Sequence, residues 1–120
     1  MRKLLSTLLL LSLFLTMLTA ADLSGVWTLD FEKDFGGNPA SEDCTFKQDG
    51  RVLTVRCGSG APGTGDVNGQ KVVFKMPTGP HDEFTATFTA DLDKTERAMK
   101  GAWHLVAKDV VDGEFTAKKR

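Results

Sequence analysis

The chain has 120 residues, 41% hydrophobic and 26% charged, with 15 Lys and Arg against 16 Asp and Glu. Apart from the terminal Lys118-Lys119-Arg120, which reads as a solvated end, no element clusters Lys and Arg, and this argues against a nucleic-acid partner. The length leaves room for one domain behind a leader.

Residues 1–21, MRKLLSTLLLLSLFLTMLTAA, open with Arg2 and Lys3, continue as an uncharged apolar run from Leu4 to Leu18, and end in Thr19, Ala20 and Ala21. This three-part pattern is that of a secretory signal peptide, with Thr19 and Ala21 in the small-x-small positions. The apolar run is short for a membrane span. The expected division is therefore a signal peptide over 1–21 and one domain over 22–120, exported to the periplasm or the medium, with no membrane attachment after cleavage.

From there the signal has period two, broken by Gly, Pro, Asn and Asp clusters. SGVWTLDF puts Trp27, Leu29 and Phe31 on one face; EKDFGGNPASE reads as a loop. Cys44 and Phe46, then Leu53, Val55 and Cys57, share a face of a hairpin. Its turn has two registers. Asp49-Gly50 as a type I′ turn places Cys44 opposite Val55. Gly50-Arg51 as a type II′ turn places Asp49 opposite Val52 and Cys44 directly opposite Cys57, in a non-hydrogen-bonded pair with Cα atoms about 4.5 Å apart. The second register suits a disulfide, which an oxidising compartment favours. A zinc site would need four ligands, and only His81 and His104 remain to supplement the cysteines.

GSGAPGTG reads as a turn. DVNGQKVVFKM reads as a second hairpin about Asn68-Gly69, with Val72, Phe74 and Met76 inward; PTGPHD is a loop. EFTATFTAD alternates most clearly, with Phe84, Ala86, Phe88 and Ala90 against Thr85, Thr87 and Thr89. LDKTER turns the chain, and AMKGAWHLV puts Met99, Gly101, Trp103 and Leu105 inside. AKDVVDG reads as a further turn, and EFTAKKR closes with Phe115 and Ala117 inward. About eight strands with short connections predict an all-β, antiparallel, up-and-down meander barrel, an architecture without exposed edges.

LSGVWTL, with Gly25 and Trp27, resembles the Gly-x-Trp opening of the calycin group, the small barrels that include lipocalins and avidins. MKGAWHLV and EFTAKKR are similar to late strands of avidin-type barrels. The resemblance implies a lipocalin-like binding module, with Trp27 packed at the barrel base near Lys119 or Arg120. A second resemblance is to small periplasmic inhibitors of bacterial metalloproteases, which are also eight-stranded barrels with one disulfide. ADLSGVW, Cys44, Cys57 and the terminal KKR carry it, and it implies a secreted protein as partner.

Catalytic motifs are missing: no nucleophile elbow, phosphate loop or His-Glu-x-x-His run occurs. His81-Asp82-Glu83 reads as a solvated loop and His104 as a surface residue. Asp91, Asp93 and Glu96 read as part of a hairpin turn, because they lack the oxygen spacing of a calcium loop. The threonine row reflects β-propensity. The expectation is a non-enzyme without metal or cofactor. Two readings of the interior stand side by side. Small residues (Ala86, Ala90, Gly101, Ala117) either offset bulky neighbours in a filled core or leave an apolar cup. The cup would take a small apolar molecule, with Phe84, Phe88, Met99 and Trp103 on its wall. A filled core would leave protein interaction, including protease inhibition, to the outer face and loops.

Overall fold

A chain whose side chains alternate between apolar and polar buries one face of each strand, and eight such strands bury all of them by closing on themselves. The computed structural model describes residues 21–34, 36–79 and 81–120; of the expected leader, residues 1–20 lie outside these. The strands are β1 (Gly25–Phe31), β2 (Ala40–Asp49), β3 (Val52–Cys57), β4 (Gly63–Asn68), β5 (Lys71–Thr78), β6 (Phe84–Leu92), β7 (Ala98–Val106) and β8 (Val110–Lys119). Each pairs antiparallel with the next, and β8 returns to β1, closing a meander barrel. No helix occurs among the described residues.

The expected inward positions are inward. Trp27, Leu29, Cys44, Phe46, Leu53, Val55, Val72, Phe74 and Trp103 are each at most 1% exposed. In the first hairpin Asp49 pairs with Val52, and Cys44 pairs with Cys57. Gly50 has φ +62°, the left-handed conformation that the first central position of a II′ turn requires. The Cys44–Cys57 disulfide is formed, with Cα atoms 4.3 Å apart. The disulfide is consistent with export, and among the described residues no helix is long and apolar enough to cross a membrane.

Four local expectations are corrected, the first being that ASE, expected as loop, opens β2. The second hairpin centres on Gly69-Gln70, one residue later than Asn68-Gly69 as the central pair, with Asn68 facing Lys71. That register sets Val67 against Val72, both fully buried, where the earlier one would have turned Gln70 inward against Val67. β4 begins inside the glycine-rich segment, at Gly63. β8 begins at Val110, so most of the supposed AKDVVDG turn is strand. Gly113 caused the misreading. It faces Trp103 across the ladder, and a Cβ there would lie 2.4–2.5 Å from the indole. The glycine is a seat for the ring, a recurring use of strand glycine.

The two ends of the barrel differ. At one lie the start of β1, the end of β8 and the short β2–β3, β4–β5 and β6–β7 turns. This end is closed from below. Gly25, at φ +137°, redirects the chain so that Leu23 tucks under the barrel and is fully buried. The Trp27 Nε1–H donates to the Leu23 carbonyl at 2.8 Å, and the Leu23 N–H donates to Gln48 Oε1 at 2.9 Å. Lys119, which faces Trp27 in the ladder, donates from Nζ to the Asp22 carbonyl at 3.2 Å. Above this floor the lower barrel is filled by rings. Trp27 stacks on Phe46 with centroids 5.5 Å apart, Phe46 meets Phe74 edge-on at 5.6 Å, and Phe74 stacks on Phe88 at 4.8 Å.

Candidate functional site

The opposite end carries the β1–β2, β3–β4, β5–β6 and β7–β8 connections, and there the filling stops. A cleft of about 470 Å³ opens into the barrel between β1, β2, β3 and β5. Its apolar wall is Leu29, Phe31, Phe74, Met76 and Phe88. The stacked Phe74–Phe88 pair belongs to this wall, and Phe31 extends it, edge-on to Phe88 with centroids 6.1 Å apart. The interior is thus packed with rings in its lower half and open at the mouth. The volume lies in the range that small-molecule sites occupy.

Polar groups enter from one side. Glu42 pairs with Leu29 in the ladder, and along β2 it shares the inward face with Ala40 and Cys44. It therefore stands on the cleft wall beside Cys57. One oxygen of its carboxylate and the sulfurs of Cys44 and Cys57 lie within 4.8 Å of one another. The sulfurs are bonded to each other, which removes the thiolates a metal would need and leaves one carboxylate. Asp34, also on the wall, is engaged in its own loop. Its Oδ1 accepts the N–H groups of Gly36 at 2.8 Å and Asn38 at 2.9 Å, which fixes the β1–β2 connection over the mouth.

Of the residues proposed from the sequence to form the wall, Phe88 lines the cleft. Phe84 is half-buried beside Gly79 at the β5–β6 connection. Met99 pairs with Leu92 near the closed end, and Trp103 lies over Gly113; both are buried in the packed interior rather than in the cleft wall. Gly101 leaves no gap, since a Cβ there would meet the Thr89 carbonyl at 2.0 Å. The cleft thus draws mainly on β1, β2 and β5 rather than on the β6–β7 pair. Ala40 and Glu42 lie in the ASE segment, whose small and polar residues read as loop although it opens β2. Continuing the alternation of Phe46 and Cys44 back by two and four residues would have turned both inward.

The remaining polar candidates lie elsewhere. His104 is exposed on the outer wall and hydrogen-bonds Asp112, its ladder partner, through Nδ1. Asp91 pairs with Lys71 at 2.7 Å. Asp93 accepts the Thr95 hydroxyl at 2.7 Å within the β6–β7 turn. His81 and Glu83 close a tight turn, with the His81 N–H donating to Glu83 Oε2 at 2.8 Å.

The closed barrel of eight antiparallel strands fits the general shape of a calycin-like barrel. The sequence matches no protein-family model and no curated protein.

Proposed function

We propose that the chain is an exported, lipocalin-like binding module that holds a small apolar molecule at the open end of the barrel, in the periplasm or outside the cell. The observation that carries this reading is the cleft of about 470 Å³ whose depth is built from aromatic and aliphatic side chains. Apolar contact supplies the affinity of such sites and a few polar groups set orientation. Binding rather than catalysis suits the chemistry of the wall. Asp34 is committed to its loop, and Glu42 has no acid–base partner on that wall.

The test is titration with a neutral solvatochromic dye such as Nile red, followed by displacement with apolar molecules. Saturable emission is expected, and Ala40→Trp should abolish it. Ala40 sits opposite Phe31 in the ladder and lines the cleft, so an indole there occupies the mouth against its aromatic wall. Absence of saturable binding, or binding that Ala40→Trp leaves unchanged, would turn attention to the second reading, a protein partner on the outer wall and loops.

A further inference from the structure

We propose that the ligand is an amphipathic cation, an apolar body bearing one protonated amine, with Glu42 as its counter-ion. The inference rests on the open end being a ligand site and adds the chemical class of what it takes.

Strand register places Glu42 on the inward face between Ala40 and Cys44, at the height where the apolar wall gives way to solvent. Glu42 is exposed at the rim of the cleft, on the inward-facing side of β2, whereas Asp43 one residue on faces the outer wall. Asp43 is taken up there by the Thr28 hydroxyl at 2.7 Å and by Arg120 at 3.2 Å. Among the described residues no ion pair or hydrogen bond engages Glu42, and no Lys or Arg lines the cleft. The neighbouring acid, Asp34, has its oxygen filled by backbone N–H groups. The cleft therefore offers a carboxylate with no partner, Glu42, above an aromatic floor, and Asp34 adds charge of the same sign at the rim. Ring faces carry negative potential and favour the same sign of ligand. A fatty acid entering apolar end first would set its carboxylate against Glu42, and a primary amine would instead form an ion pair there.

The experiment is calorimetric titration of the mature protein with decylammonium, decanol and decanoate, which share one chain and differ in head group. The amine should bind about fivefold more tightly than the alcohol, the upper range for an ion pair at a partly exposed site. The carboxylate should bind more weakly than the alcohol. Salt should compress the differences. Glu42→Gln should bring amine and alcohol together, and Glu42→Lys should invert the order of amine and carboxylate. Equal affinity of the three ligands, or an order that Glu42→Gln does not change, overturns the assignment to Glu42 while leaving the cleft as a site. Failure of all three ligands, together with failure of the neutral dye, overturns the ligand site itself.

Discussion

Gly25 and Trp27 depend on each other through Leu23. The positive φ of Gly25 turns the preceding residues under the barrel, and the indole N–H of Trp27 holds the Leu23 carbonyl there. Trp27→Phe keeps most of the apolar contact but leaves that buried carbonyl without its donor, for a loss of about 1–3 kcal/mol. Trp27→Ala also empties the ring stack on Phe46, and about 3–5 kcal/mol is expected. The two variants, compared by denaturant unfolding, separate the hydrogen bond from the packing. Gly113→Ala drives a methyl group into the Trp103 indole and should cost about 1–3 kcal/mol, with a shift in tryptophan emission that marks where the strain falls.

At the scale of an element, the β2–β3 hairpin concentrates the constraint. Its disulfide spans a sequence separation of 13 and closes the strand ends that flank the mouth. Reduction should lower unfolding stability by about 3 kcal/mol, read as a drop in the denaturant midpoint with added reductant. Much of this element was legible beforehand. Two cysteines equidistant from Gly50-Arg51 specify one register, and alternation specifies which face each residue takes. Alternation failed where glycine replaced the expected side chain. Gly63 and Gly65 in β4, and Gly113 in β8, look like turn residues because their function is to admit a neighbouring strand or ring, which only the assembled barrel reveals. Leu23 was invisible for another reason: one apolar residue ahead of a glycine has no period. The cleft was least legible of all. It is the space left where strands of unequal phase end, and Glu42 belongs to it through a ladder partner thirteen residues away, Leu29.

Across the described residues no charged side chain is buried, and the charges' contribution to stability has a definite pH sign. Asp66 is held below its ordinary value of 3.8 by the hydrogen bond and charge of Arg51, Asp93 by the Thr95 hydroxyl, and Asp22 by the Ser24 backbone N–H. The unfolded chain thus takes up protons at these sites before the folded one does. Their stabilisation is complete above the unfolded value and is lost as pH falls through the folded values. The denaturant midpoint should be flat from neutral pH down to about pH 5 and decline below about pH 4. Asp66→Asn combined with Asp93→Asn should make that decline shallower; an unchanged slope would assign it to other carboxylates. The closed pole, finally, gathers both ends of the described chain. Lys119 reaches Asp22, and the Arg120 N–H donates to the Val26 carbonyl at 2.9 Å. Anything fused or tethered at either end therefore hangs from the pole opposite the mouth. Immobilisation through a C-terminal tag should leave ligand titrations unaltered. A circular permutant with residues 22 and 120 joined by a short linker and new ends opened in the Asp93–Arg97 turn, also at the closed pole, should keep its cleft intact while its chain order is rewritten.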